Sequence, residues 1–318
     1  MPTLDFERNE VSEVMSDSAA WWAHHSGIDG FRHDATKHIP ESFWRRLTHK
    51  LKKAQQQNGK RMFQIGETYG SPDLIGSYLS SGMIDAQFDF NLYDKLLGAI
   101  AFDDGNWEDL VQTNRESLQA YGAHHLMGNI TGNQDRPRFT SLADGSLDPQ
   151  EDTKFQGWTQ DIQHNGDQGY AKMRLLMAYL MSVPGIPCVY YGDEIADVGG
   201  NDPDNRRMMR FESLNEQEKR TRDWTSNWAK LRTSHMAMLY GTTEFNLLSP
   251  DVLLVTRTYL DQQVHVALNR SGVAQPMDLA SLTPDDGQDA PALVYLAGQE
   301  STTELEPFGA VAFEIDTH

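Results

Sequence analysis

The sequence predicts an α/β architecture: a run of βα units forming a parallel sheet, then a small antiparallel β domain. Three observations predict it. Amphipathic helical patterns alternate with short apolar runs from the start to about residue 235. After about residue 240 the helices stop, and four strand-like runs follow one another through turns. Each apolar run of the first part also ends, on its C-terminal side, in polar or charged residues.

The elements follow in order. "VSEVMSDSAAWWAHHSG" is amphipathic and stops at Gly27. "GIDGFRHD" opens as a core strand, yet Arg32, His33, Asp34, Lys37 and His38 crowd its end. Pro40 starts a helix whose Phe43, Leu47 and Leu51 share one face, with Asn58-Gly59 as its stop. "RMFQIGE" and "MIDAQFDF" are strands, and a helical region runs from about Leu92 to Tyr121. "HHLMGNIT" is strand-like, "GYAKMRLLMAYLMS" helical, "IPCVYYG" strand, and "SNWAKLRTSHMAML" a closing helix. Met173, Met177 and Met181 form a helical stripe suited to core packing. "DVLLVTRTYL", "QQVHVALNR", "PALVYLAG" and "GAVAFEI" are the strands of the last domain, and "TPDDGQDAP" is a surface loop. The boundary falls between residues 1–240 and 241–318.

Composition narrows the function classes. Of 318 residues, 39% are hydrophobic and 23% charged, as in a folded soluble protein. A net charge of −19 disfavours nucleic acid and anionic membranes, which need a basic footprint, while a neutral ligand is not repelled. Cys188 is the only cysteine, so no internal disulfide forms, and its apolar run suits a small buried hydrophobe. The start lacks a basic segment followed by an apolar one and is not a signal peptide. The longest apolar stretch is broken by Pro184, Gly185 and Pro187, as in a core helix turning into a strand. His24-His25 and His124-His125 have no third ligand spaced to complete a zinc site. "GGNDPDN" lacks the glutamate that closes an EF-hand.

In parallel βα architectures a ligand site lies beyond the carboxyl ends of the strands. Asp34, Glu67 and Asp135 all stand at such ends. Any one of these acids in isolation reads more readily as an ion-pair partner of Arg32, Lys37 or Arg138 at a sheet edge. Their recurrence at successive strand ends favours a site. Two carboxyl groups facing one another suit retaining glycoside hydrolysis, one attacking the anomeric carbon and the other protonating the leaving oxygen. Arg32, two residues before Asp34, shares its strand face and holds it ionised.

"GFRHDATKH", "IGET", "GNQDRPRF" and "GIPCVYYGDE" resemble, in order, the later signature segments of the α-amylase family of glycoside hydrolases. "GGNDPDNRRMMRF" resembles the neopullulanase and cyclomaltodextrinase branch. The resemblance implies a (β/α)8 TIM-type barrel, here only its later βα units, followed by a small antiparallel β-sandwich. It makes Asp34 the nucleophile, Glu67 the acid/base and Asp135 the residue that binds sugar hydroxyls and stabilises the transition state. Arg32 would position the nucleophile, and Lys37 and His38 would contact leaving-group sugars. Asn133 and Gln134 accompany Asp135 in "NQD", and Asp202 and Arg206 match glucan-binding positions. Tyr69 and Trp158 are candidates for stacking on sugars or for packing.

Gln134 departs from the family's usual histidine; an amide still donates a hydrogen bond but carries no proton. The family's earlier strands are absent, so the chain is expected to be a portion of a longer or split enzyme. An α-glucan, starch, malto-oligosaccharide, pullulan or cyclodextrin, is the implied partner, with a second copy or a complementing N-terminal chain. No cofactor is required. Calcium enters by resemblance alone, and the positions that usually supply it lie largely in the absent part. The family's usual location is periplasmic or secreted. A glucan-binding protein without catalysis is the alternative function, and transglycosylation shares the same covalent intermediate.

Overall fold

The computed structural model describes residues 4–277, 292–299 and 303–316, so the acidic "TPDDGQDAP" stretch lies outside the described residues. The chain forms two compact units, Met1–Asn91 with Glu116–Gly128, and Leu92–Arg115 with Asn129–His318.

The first unit opens with α1 (Asn9–His25), β1 (Gly30–His33), α2 (Glu41–Asn58), β2 (Phe63–Gly66), α3 (Pro72–Ser77) and β3 (Ala86–Gln87). β1, β2 and β3 form a parallel sheet in that order, with Arg32 opposite Ile65 and Gly66 opposite Gln87. Pro40 precedes α2, and Gly59 ends it in the left-handed conformation at φ 73°. The predicted apolar face is the core: Phe43, Trp44, Leu47 and Leu51 are buried with Ala23, Met62, Tyr78, Met83 and Ile84. Removing a side chain such as Trp44 from this cluster costs about 3–5 kcal/mol. Outside the core, Lys50 bonds Glu13 at 2.8 Å, and Arg46 lies 3.5 Å from the same carboxylate, fastening α1 to α2.

Two expectations change in length. "MIDAQFDF" yields only the two residues of β3, because Phe90 already opens the next helix. The helical region ending at Tyr121 divides into α4 (Phe90–Ala101) and α5 (Trp107–Tyr121). The divider is "FDDGN", where the Asn106 side chain accepts the Asp109 N–H and caps α5.

After β4 (Gly128–Ile130) the second unit continues with α6 (Phe139–Ala143), α7 (Thr153–Thr159), α8 (Gln168–Ser182), β5 (Ile186–Cys188), α9 (Glu216–Ser234) and α10 (Met236–Tyr240). The methionine stripe of α8 is buried as expected, and Arg232 of α9 donates to the carbonyls of Met181, Val183 and Gly185 at its end. β4 pairs with β5. Cys188 is half-buried rather than a core residue, and its thiol pKa is raised by burial.

The remaining strands are β6 (Thr242–Leu247), β7 (Val252–Tyr259), β8 (Gln262–Asn269), β9 (Gln275–Pro276), β10 (Ala292–Gly298), β11 (Glu304–Leu305) and β12 (Ala310–Asp316). An antiparallel sheet runs β10-β12-β8-β7-β6, and β9 pairs with β11. Val252, Leu254, Ala267, Val311 and Phe313 of the large sheet bury in one cluster with Leu305 of the small one and Met277 next to it. No described helix is long and apolar enough to cross a membrane.

Candidate active site

In the first unit, the residues at the ends of β1 and β2 converge. Arg32 points one guanidinium nitrogen at Asp34 and the other at Glu67, the latter at 2.9 Å. One planar cation thus grips both carboxyls, the geometry a guanidinium fork favours. Asp34 is the open partner, with its side chain 76% exposed, and Glu67 the sheltered one at 19%. The Asp34 carboxyl is held below the usual carboxylate range, chiefly by its hydrogen bond from Arg32.

The backbone makes this possible. After Asp34 the chain turns through Ala35 at φ 45°, and the Ala35 N–H points to the Glu67 carboxyl at 3.3 Å. Thr36 donates its N–H to the Glu67 carbonyl and accepts the Glu67 N–H on its hydroxyl at 3.0 Å. Trp44 fixes the same turn, donating its indole N–H to the Thr36 carbonyl. Gly66 allows the approach: a Cβ there would lie 2.6 Å from the Thr36 hydroxyl and 2.7 Å from both Gln87 and Ile84. Sequence reading missed Thr36 and Gly66, whose partners lie about thirty residues away.

His33 corrects the reading of a charged cluster. Strand alternation turns it away from Arg32 and into the core, stacked near Phe31 and 4.6 Å from Trp44. It bonds Gln64, whose amide donates to Thr48, which donates to the Met83 carbonyl. Burial pulls its pKa down to about 4, so it is neutral at pH 7. Lys37 donates to the Tyr69 carbonyl at 2.8 Å; His38 is exposed at the end of the same turn. Tyr69 is largely exposed, with its ring 5.5 Å from Phe90.

In the second unit, "NQD" follows β4. The Asn133 side chain accepts the Asp135 N–H at 2.9 Å, and Gln134 donates to the Asp135 carboxylate at 2.8 Å. Arg206 reaches Asp135 at 3.2 Å and Asp202 at 3.1 Å. The sequence-predicted Asn133, Gln134, Asp135, Asp202 and Arg206 therefore form one cluster. Fully buried Asn205 binds it together: its amide donates toward the carbonyls of Asn133, Gln134 and Arg136. Only its place within "DPDNRR" marks it in the sequence. Arg138 is structural, ion-paired to Asp193 at 2.9 Å and to none of the site acids. Among the described residues no group of three or more His, Cys, Asp or Glu side chains is arranged to hold a metal ion.

A family profile described as "Alpha amylase, catalytic domain" matches residues 1–238. The chain is 24% identical over 328 residues to a cyclomaltodextrinase of Geobacillus thermopakistaniensis, covering 100% of this chain and 50% of that one. It is 26% identical over 291 residues to neopullulanase 2 of Thermoactinomyces vulgaris, covering 90% of this chain and 44% of that one. The chain thus spans about half the length of these relatives. The crystal structure of an alpha-amylase from Geobacillus thermoleovorans, complexed with acarbose, superposes with a TM-score of 0.78 at 26% identity, covering 98% of this chain and 65% of that one.

Proposed function

The chain belongs to the alpha-amylase catalytic-domain family, and on that premise we propose that it is a retaining glycosidase acting on α-1,4-glucans. The observation that carries the reading is the Arg32 fork, which holds an open carboxylate and a sheltered carboxyl side by side. In the proposed reaction the Asp34 carboxylate attacks the anomeric carbon as the bond to the leaving sugar breaks. The leaving oxygen takes the proton of Glu67. Glu67, now ionised, then takes a proton from water, whose oxygen attacks the same carbon and releases Asp34. A sugar hydroxyl in place of that water gives transglycosylation. Asp135, with Gln134 and Arg206, is proposed to bind sugar hydroxyls, and Lys37 and His38 to contact leaving-group sugars.

The proposal treats residues 1–240 as the later βα units of a (β/α)8 barrel and 241–318 as its C-terminal domain. It includes a second copy or a complementing N-terminal chain as partner, supported by the position of β1 at the edge of its sheet. The test is chromophore release from a blocked malto-oligosaccharide by the purified chain and by Glu67→Gln. Turnover that falls about a thousandfold in the variant is expected. Equal turnover by both proteins removes Glu67 from its role. Absent turnover with maltose units still bound replaces catalysis with glucan binding.

A further inference from the structure

The second unit carries a feature that extends beyond the residues already assigned to sugar contacts. Asp135, Arg206, Asp202 and Lys154 form a row of alternating charge, linked at 3.2, 3.1 and 3.6 Å. Lys154 belongs to α7, a seven-residue helix that also presents Phe155 and Trp158, 64% and 67% exposed. Positions 154, 155 and 158 share one helix face, since residues three and four apart are neighbours on the surface. Single exposed apolar residues are ordinary, but two large aromatics on one short helix, next to the end of a charged row, are not scattered.

The helix is firmly mounted. Asp152 caps it by accepting the N–H groups of Lys154 and Phe155. Buried Gln156 exchanges hydrogen bonds with the backbone of Asp148. On the side facing the row, Asn201 donates its N–H to the Thr153 carbonyl at 3.0 Å. A Cβ at Gly157 would lie 2.9 Å from the Asp204 Cβ and 3.2 Å from the Gly200 Cα, so a glycine is what lets the helix lie against the loop. Aromatic rings on a fixed mount are pre-organised for a ligand, because little side-chain or backbone freedom is lost on contact.

The row indicates the ligand class. Its two anions and two cations cancel, which disfavours an ionic ligand and suits a neutral one rich in donors and acceptors. A flat aromatic beside such a row suits a molecule with an apolar face and hydroxyl edges. A sugar ring has both. We propose that Trp158, with Phe155 beside it, is a stacking platform for the outer sugars of an α-glucan lying along the Asp135–Arg206–Asp202 row. This inference rests on the glucan reading of that cluster and adds a determinant of chain length.

The test measures affinity by calorimetry for maltotriose and maltoheptaose, using the full chain carrying Glu67→Gln so that hydrolysis does not intervene. Trp158→Ala in that background is expected to weaken maltoheptaose binding about tenfold while shifting maltotriose by less than about twofold. Trp158→Tyr, which keeps a flat ring, restores most of the loss. Unchanged maltoheptaose affinity in Phe155→Ala/Trp158→Ala overturns the platform, as does an equal loss for both sugars. Turnover by the unmodified protein is read separately. Turnover with unchanged affinity defeats the platform alone, whereas a chain-length-dependent loss without turnover defeats catalysis alone.

Discussion

Arg138 and Asp193 meet at 2.9 Å with both side chains only 1% exposed, the most deeply buried ion pair among the described residues. Arg138 follows the "NQD" segment, Asp193 follows β5, and Thr131 beyond β4 donates to the same carboxylate. The guanidinium also lies 4.4 Å from the Tyr190 ring centroid. Burial pushes the Asp193 pKa up to about 6, with Arg138 and Thr131 acting against it. The pair ties together three segments of the second unit.

Arg138→Leu should therefore cost about 3–5 kcal/mol, because it strands a buried carboxylate. Arg138→Leu/Asp193→Leu should recover much of that loss, since neither charge is then left alone. Urea denaturation of both variants reads the difference. A single variant within about 1 kcal/mol of wild type would show the pair to be dispensable.

Arg32→Leu tests the fork. The guanidinium depresses the Asp34 pKa, so the acid limb of activity should lie below that of an ordinary aspartate. Without Arg32 the limb should move to higher pH, and kcat/KM should drop by about a hundredfold or more. Arg32→Lys keeps the charge but not the two-nitrogen grip, and should recover only part. A pH profile of kcat/KM with an unmoved limb would separate Arg32 from the ionisation of Asp34.

His33 makes stability depend on pH. Its folded pKa of about 4 lies below the ordinary 6.5, so the unfolded chain takes up the proton first. Its contribution is complete above about pH 6.5 and is lost as pH falls toward about 4, by up to about 3 kcal/mol. Asp193 has the opposite sign, because an acid with a raised folded pKa favours the folded state at low pH. The useful quantity is thus the difference between wild type and His33→Phe. That difference should shrink between pH 7 and pH 5, and a constant difference would contradict it.

Gly66→Ala should couple stability to activity. The new methyl would press on the Thr36 hydroxyl, Gln87 and Ile84, at a cost of about 1–3 kcal/mol. Displacing Thr36 disturbs the backbone under Glu67, so kcat should fall more than KM rises. Thermal melts and kinetics of the same preparation decide this. Full activity would show that the turn tolerates the displacement.

What the sequence revealed follows from the range of the contacts involved. Arg32, Asp34 and Glu67 were legible because strand alternation and position at a strand end are local properties. The face of α2 was legible for the same reason. Thr36, Gly66 and Asn205 were not, since each acts on segments distant in sequence that only folding brings close. β6 escaped because Phe245 is its only buried side chain, so its apolar pattern is weak. α7 was equally silent. Its seven residues carry no long periodicity, and the exposure that distinguishes Trp158 from a core tryptophan appears only in three dimensions.

The Arg32 fork has a consequence for the order of events in the proposed reaction. At the outset the guanidinium divides its attraction between two carboxyl groups. Once Asp34 becomes an ester it is neutral, and Arg32 is left with one anionic partner. That partner is Glu67, which at that moment must be the anion that draws a proton from water. A single immobile cation would thus serve as counter-ion to each carboxylate in turn, passing from nucleophile to base without any part of the chain having to move.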